Sequence, residues 1–289
     1  MLFTKRIERI IEVDLATPYI LEETQTRPVN LIFVTLSGGG KSALLLEKYG
    51  MLKGVKAFGD ITYDRLVKSY LQKIYRKEIR TLIFPEFNKI IGRKVSVARN
   101  TTGILNELGE EGVPSIDLPY FQRTWNPPVR CNLIIGMTPS FLNAHLLDWW
   151  GYGFAQRFLV VTWNYSKEQI EAILEYIERQ LHLMEGKCSE IFKESKVDLP
   201  TRFARKLERY SLRICEDMTD YIEELCNSRN WRFNRKLERE LPFRTQMRLQ
   251  KFLKAIALLN GRNRVKALDF VEFKRLFKFM NLRFNDLLD

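Results

Sequence analysis

The stretch PVNLIFVTLSGGGKSALLL, residues 28–46, decides the fold of this chain. It begins as an apolar run typical of a buried strand and continues, after a polar loop, with residues that favour a helix. The loop between them is Ser37-Gly38-Gly39-Gly40-Lys41-Ser42. A strand, a glycine loop and a helix in this order point free backbone N–H groups and the positive end of a helix dipole at one spot, where phosphate binds. Lys41 would add a positive charge and Ser42 a hydroxyl ligand for Mg²⁺.

The loop therefore predicts nucleoside triphosphate binding, with ATP and Mg²⁺ as the expected ligands. Its sequence departs at one position from the pattern G-x-x-x-x-G-K-[ST], because Thr35 stands where the pattern has its first glycine. An ordinary strand-to-helix connection can also contain glycines followed by Lys-Ser. The apolar run before the loop and the helix-forming residues 43–46 after it favour the phosphate-binding interpretation.

The net charge of the 289-residue chain is +12, and it is concentrated near one end. Residues 229–283 contain 16 basic and 4 acidic side chains, so this segment carries the whole imbalance. A localised basic surface is expected of a protein that binds a polyanion, most simply a nucleic acid. A solvated helical face whose acidic complement lies on a neighbouring subunit would have the same composition.

Other features of the composition exclude several classes of protein. The chain has no apolar run of bilayer-spanning length, and its start, MLFTKRIERIIEV, is amphipathic rather than a signal peptide. We therefore expect a cytoplasmic protein without membrane association. Four cysteines without a C-x-x-C pair, and only two histidines, argue against a zinc site or a disulfide framework.

The remaining apolar runs predict an α/β fold. Such runs recur at residues 30–35, 55–58, 81–84, 132–137 and 158–163, with helix-like stretches between them. Strands that alternate with helices indicate a parallel sheet. From Ser166 onward the alternation stops and helical periodicity takes over. We predict an N-terminal segment over residues 1–28, an ATPase core over 29–166 and a mostly α-helical C-terminal lid over 167–289.

Two further strands end in polar residues that suit triphosphate hydrolysis. Glu86 follows the strand at residues 81–84 and is the candidate base that orients water against the γ-phosphate. Pro85 stands beside it, where an aspartate would help to hold Mg²⁺. Thr138 follows the strand at residues 132–137 and could hydrogen-bond the attacking water or the γ-phosphate. Its alternative role is to start the next helix, since Thr before Pro-Ser favours a helix N-terminus.

The segment GYGFAQRFLVV, residues 151–161, places Arg157 immediately before the fifth strand. The order of phosphate loop, acidic strand end, polar strand end and arginine resembles that of AAA+ and related helicase-like P-loop ATPases. The resemblance implies the strand order 5-1-4-3-2 and a homo-oligomer, most simply a hexameric ring. It also implies that Arg157 is an arginine finger, which reaches the nucleotide of the neighbouring subunit. Alternatively, Arg157 pairs with a carboxylate of its own chain and braces the strand.

The resemblance extends, more loosely, to residues 240–283. This region is similar to the lid of minichromosome-maintenance-type helicases and of phage and plasmid replication ATPases. On that pattern Arg244 matches the sensor-2 arginine, which reports the γ-phosphate, with Arg248 in reserve one turn later. By helical periodicity, one face of this helix is apolar and another is basic, with Arg244, Arg248, Lys251 and Lys254. We expect Arg248, Lys251 and Lys254 to bind nucleic acid.

Residues 113–130, between the strand at residues 81–84 and the strand at residues 132–137, are predicted to form an inserted hairpin. In helicases a hairpin at this point touches the strand in the pore, and Arg123 and Trp125 offer charge and stacking. Aromatic residues beside prolines are also common in simple loop packing.

Taken together, these residues predict an ATP-driven motor or assembly switch that acts on DNA, with RNA left open, in the manner of a replication helicase or initiator. The alternative is a nucleotide-dependent DNA-binding scaffold with little hydrolysis, for which Pro85 is the best indication. A small-molecule kinase shares the phosphate loop, but the basic lid and Arg157 disfavour it.

Overall fold

The computed structural model describes residues 5–21, 27–165, 169–171, 193–235 and 241–281. The strands are β1 (Ile20–Leu21), β2 (Asn30–Val34), β3 (Val55–Ala57), β4 (Thr81–Phe84), β5 (Val113–Leu118), β6 (Phe121–Val129), β7 (Asn132–Met137), β8 (Phe158–Thr162) and β9 (Ser195–Lys196). The helices are α1 (Lys5–Ala16), α2 (Tyr63–Ser69), α3 (Leu71–Tyr75), α4 (Asn88–Ile91), α5 (Val95–Leu108), α6 (Pro139–Gly151), α7 (Thr201–Ser228), α8 (Pro242–Leu259) and α9 (Ala267–Phe277). Shorter helical turns lie at Thr17–Tyr19, Ala43–Lys48 and Ala155–Arg157.

A five-stranded parallel sheet forms the centre of the molecule. Its strands lie in the order β3, β4, β7, β2, β8. Strand β2 is flanked on one side by β7, where Leu31 is in register with Ile134, and on the other by β8, where Leu31 is in register with Leu159. Every residue of β2, β4, β7 and β8 is buried. This explains why the strands are apolar without alternation, since a parallel sheet is covered on both faces.

Two layers of helices cover the sheet. Ile32 and Val34 face a core that includes residues of α2, α3, α5 and α6. Leu31 and Phe33, from alternate positions of the same strand, face a second core that includes residues of α1, α8 and α9. The C-terminal helices therefore pack directly on the sheet, and α1 belongs to the same layer. Helix α7 contributes to both cores.

The predicted parallel α/β sheet is confirmed, with strand bounds within one residue of the apolar runs. The helix-like stretch between the second and third apolar runs forms two helices, α2 and α3, because Tyr70 between them leaves helical geometry at φ −122°. Residues 113–129 form an antiparallel hairpin of β5 and β6. Most of the helix predicted from Ser166 lies outside the described residues. None of the described helices combines the length and the apolarity that a bilayer-spanning segment needs.

Candidate phosphate-binding site

A cleft of about 470 Å³ lies at the carboxyl ends of β2, β4 and β7. Its volume is in the range of small-molecule sites. Its walls are Ser37, Gly38, Gly39, Gly40, Lys41, Ser42, Ala43, Pro85, Glu86, Asn88, Gly136, Met137 and Thr138. The cleft thus brings together the whole glycine loop and the polar residues predicted at the ends of the next two functional strands.

The backbone of the loop depends on its glycines. Gly38 and Gly40 have φ values of +79° and +77°, which L side chains rarely adopt. Gly39 is needed for a different reason, because a Cβ there would lie 2.7 Å from Thr35 Oγ1. Thr35 is buried and occupies this space. The missing side chain at Gly39 therefore accommodates the threonine that replaces the first glycine of the usual pattern.

The Lys41 ammonium is held at the base of the loop. Its Nζ donates hydrogen bonds to the carbonyl oxygens of Thr35, at 3.0 Å, and Leu36, at 3.3 Å. The residue is only 8 % exposed. Burial lowers the pKa of Lys41 from its ordinary value, while the nearby Glu86 carboxylate opposes the shift. These bonds to backbone carbonyls fix a cation at the base of the glycine loop.

Glu86 lies across the cleft from the loop. The Ser42 hydroxyl donates to Glu86 Oε1 at 3.5 Å, and Lys89 Nζ is 2.5 Å from Oε2. The hydrogen bond from Lys89 is the main reason why the pKa of Glu86 is lowered, with Ser42 and Lys41 adding to the effect. The lowered pKa keeps the carboxylate ionised at neutral pH, so its negative charge can orient a water molecule.

Pro85 is fixed by the neighbouring strand. A Cβ on Gly136 of β7 would lie 2.5 Å from the Pro85 carbonyl oxygen, so the two backbones meet here because residue 136 is glycine. Pro85 supplies no carboxylate. The side-chain oxygens in the cleft that could reach Mg²⁺ include the Ser42 hydroxyl, with the Glu86 carboxylate 3.5 Å from it. They suit this ion, which takes one or two protein ligands and completes its shell with phosphate and water. Within the described ranges there is no group of three or more acidic, Cys or His side chains that could hold a metal.

Thr138 lines the cleft and also precedes α6, where its backbone is the N-cap. Its hydroxyl lies 3.3 Å from Ser140 Oγ and makes no side-chain capping bond. Thr138 is therefore placed for both of the roles predicted for it, one at the cleft and one at the start of the helix.

Sequence reasoning missed Asn88 and Tyr165. Asn88 lines the cleft, and the Tyr165 hydroxyl donates to the Gly39 carbonyl at 3.3 Å. Their only sequence signal is a polar residue shortly after a strand end.

Arg157 and Arg244 lie at the other end of the strands, where their amino ends meet, and the cleft lies at their carboxyl ends. Arg157 precedes β8, and its carbonyl accepts a hydrogen bond from Asn30, the first residue of β2. Since β2 is five residues long, this edge is about 16 Å from the glycine loop. Arg244, expected at the γ-phosphate, is absent from the described residues that line the cleft. The geometry therefore separates it from the phosphate loop of its own chain.

At this edge one buried carboxylate, Glu110, is surrounded by arginines. Glu110 directly follows Gly109, whose carbonyl accepts a hydrogen bond from Asn30. Its side chain is 0 % exposed and contacts four guanidinium groups, three of them at 3.0–3.5 Å. These belong to Arg27, Arg157, Arg244 and Arg248. Glu111 beside it is half exposed and lies 3.6 Å from Arg157. Arg157 thus has the internal carboxylate partner that the alternative interpretation required.

The expected basic face on α8 is corrected by these contacts. Arg248 is 2 % exposed and Lys251 is 7 % exposed. Arg248 binds Glu110, and Lys251 donates to the Arg27 carbonyl at 3.4 Å. Lys254 is half-buried. Helix α8 is covered on most sides by α1, α7 and α9, so its polar stripe points into the protein, and Arg248 and Lys251 cannot form a nucleic-acid surface.

The prediction for Trp125 is also corrected. The indole is 4 % exposed and its Nε1 donates to Gln72 of α3 at 3.2 Å. It packs in the core below the hairpin and presents no face to a nucleic-acid base. Arg123, on the same strand, is exposed. The tip residue Tyr120 is engaged by α2, since its hydroxyl donates to Asp64 and its ring lies 3.9 Å from Lys68 Nζ.

Comparison with known proteins leaves the site to be interpreted on its own geometry. No protein-family model matches the chain, and no curated protein is significantly similar to it in sequence.

Proposed function

We propose that the protein is a P-loop ATPase of the AAA+-like type, which hydrolyses ATP as a homo-oligomer, a hexameric ring, and acts on DNA as a motor or assembly switch. The observation that carries the proposal is the cleft in which Lys41, Ser42, Glu86 and Thr138 meet around the glycine loop. The sheet gives further support. Numbered along the chain, its five parallel strands run 5-1-4-3-2 from the β8 edge, the order that the family resemblance implies.

In the proposed reaction each residue acts from its observed position. The loop N–H groups hold the β- and γ-phosphates, and Lys41 exchanges its bonds to the Thr35 and Leu36 carbonyls for phosphate oxygens. Ser42 would hold Mg²⁺ together with phosphate oxygens and water, and the ion neutralises phosphate charge when bound. Glu86 leaves its ion pair with Lys89 to orient the attacking water. Thr138 hydrogen-bonds the γ-phosphate or the water.

Arg157 and Arg244 cannot serve the cleft of their own chain from the opposite edge of the sheet. We propose that Arg157 completes the site of a neighbouring subunit, as the resemblance implies, and that Glu110 and Glu111 hold it in the meantime. A subunit that binds ATP alone would then lack one catalytic charge.

The second candidate is a nucleotide-dependent DNA-binding scaffold with little hydrolysis. Two observations favour it over a motor. Pro85 removes a carboxylate from the cleft, and Glu86 is ion-paired with Lys89. Both candidates require nucleotide binding, and only the first requires turnover.

Replacing Lys41 with alanine should weaken ATP binding about 100-fold, because a charge-assisted hydrogen bond to phosphate is worth about 1.5–3 kcal/mol. Titration with a fluorescent ATP analogue measures the effect. Lys53→Ala, which removes an exposed lysine outside the cleft, is the matched control and should bind normally. Equal affinity of the two variants would remove the cleft from nucleotide binding.

Glu86→Gln separates the two candidates. We expect it to bind ATP with near-normal affinity and to lower kcat about 100-fold, since a general base typically contributes 10²–10⁴. Phosphate release measures turnover, with Glu47→Gln, an exposed carboxylate beyond the loop, as control. If the parent protein binds ATP but turns over no faster than Glu86→Gln, the scaffold is the better description.

A further inference from the structure

Helices α7 and α9 carry an exposed basic surface that lies outside the helix face considered above. On α7, Arg202, Arg205, Lys206 and Arg209 are exposed, and Lys274 of α9 and Lys278, the residue that follows this helix, are exposed as well. We refer to these six residues as the α7–α9 surface. With about 100° per residue, the four residues of α7 fall within an arc of about 100°, so they form one stripe.

The two helices lie side by side and run in the same direction. Phe203 packs on Phe270 at 5.8 Å, and seven residues later Tyr210 packs on Phe277 at 4.7 Å. Lys206 Nζ lies 5.6 Å from the Phe270 ring. The cations of α7 therefore lie along one side of the aromatic contacts between the two helices, and Lys274 and Lys278, at the end of α9 and just after it, lie on the same side of the molecule.

The stability of the helix does not account for this stripe. Arg202 and Lys206, and Arg205 and Arg209, are like charges at i and i+4, which weakens a helix. Arg202 also lies in the first turn, where the helix dipole disfavours cations. Among the described residues, Arg205 and Arg209 make no ion pair, whereas the next cation on the stripe, Arg213, is 3.8 Å from Asp217. The part of the stripe without ion-pair partners therefore ends at Arg209, since Arg213 is paired with an acidic residue.

We infer that the α7–α9 surface binds the phosphodiester backbone of a nucleic acid. The stripe from residue 202 to 209 extends about 10 Å along α7, which corresponds to about three phosphates of one strand. The exposed aromatic residues of the described part belong to other elements, so this surface offers charge without stacking. It should therefore bind without reading the base sequence. The inference rests on the proposed function only for the choice of partner and does not involve the nucleotide cleft.

The test is a triple charge reversal, Arg205→Glu, Lys206→Glu and Arg209→Glu, compared with Lys53→Glu, Arg65→Glu and Lys94→Glu. Both sets change exposed residues and lower the net charge equally. Binding to 30-nucleotide single-stranded DNA, RNA and 30-base-pair duplex DNA is measured by fluorescence anisotropy across salt concentrations. We expect the first set to lose at least about 30-fold in affinity and to reduce the slope of log K against log[salt] on duplex DNA by about 2–3. The control set should keep the slope.

Equal losses in the two sets would overturn the inference, as would parent protein that binds anionic phospholipid vesicles but no polynucleotide. Arg205→Gln with Arg209→Gln, a milder pair on the exposed face, repeats the test if the triple variant does not fold. Binding of the fluorescent ATP analogue is measured for every variant. If the parent protein binds ATP but no nucleic acid, the inference about the α7–α9 surface is rejected and the proposal of ATP hydrolysis stands. If it binds nucleic acid but no ATP, only the proposed nucleotide site in the cleft is rejected.

Discussion

Replacing Glu110 with glutamine is expected to lower the free energy of unfolding by about 3–5 kcal/mol, the usual cost of removing one partner from a buried ion pair. The Glu110 side chain is 0 % exposed, and four arginines depend on its charge. The largest cost comes from Arg248, because its side chain is 1 % exposed and its charge would be left buried without solvation by water. Urea denaturation followed by circular dichroism measures the change.

Glu111→Gln is the matched control for this prediction. Its carboxylate is half exposed and lies 3.6–3.9 Å from its arginines, so its loss should cost less than about 1 kcal/mol. The double variant Glu110→Gln, Arg248→Gln should be less destabilised than the sum of its single changes, since it removes both members of the pair. A Glu110→Gln protein as stable as the parent would show that the arginines do not need this carboxylate.

Arg157→Ala is expected to bind ATP with near-normal affinity and to hydrolyse it about 1000-fold more slowly, because an arginine finger contributes about 10³–10⁵ in rate. The parent's specific activity should rise with protein concentration as subunits associate. Mixing supplies the decisive measurement. Lys41→Ala subunits, which keep Arg157, should restore some turnover to Arg157→Ala subunits.

Arg157 also contacts Glu110 and Glu111, so the unfolding free energy of Arg157→Ala must be measured in parallel. A structural role alone would lower stability in proportion to activity and would give no rescue in mixtures. Absence of rescue, together with specific activity that is flat across concentration, would assign Arg157 to the brace with Glu110 and remove the main support for a ring.

The sheet and the cleft could be predicted because their signals are local. Each buried strand is one continuous apolar run, and the residues of the cleft come shortly after such runs: Lys41 lies seven residues after β2, and Glu86 two residues after β4. Parallel strands bring their carboxyl ends to one edge without further information. The register of the strands and the packing of Thr35 against Gly39 needed coordinates.

The prediction that the polar stripe of α8 faces solvent was wrong, because periodicity shows that a stripe exists but not which part of the protein covers it. Arg248 faces Glu110, which is 138 residues away along the chain. In sequence, Glu110-Glu111-Gly112 reads as an ordinary turn after a helix. The same limit applies to Trp125, whose partner Gln72 lies on a distant helix. Charge alone does not separate a solvent-facing cation from one neutralised inside the protein.

The position of β2 in the sheet also constrains how the protein is made. In the part of the chain that the structure describes, strand β2 pairs with β7 and β8, which end at Met137 and Thr162. On the ribosome, the strand that leads into the glycine loop has no hydrogen-bonding neighbour until more than a hundred further residues have emerged. Contacts so distant in sequence form slowly and leave an apolar strand unpaired meanwhile. Nascent chains shorter than about 140 residues therefore expose β2 without either of its neighbours, and an unpaired apolar strand favours aggregation.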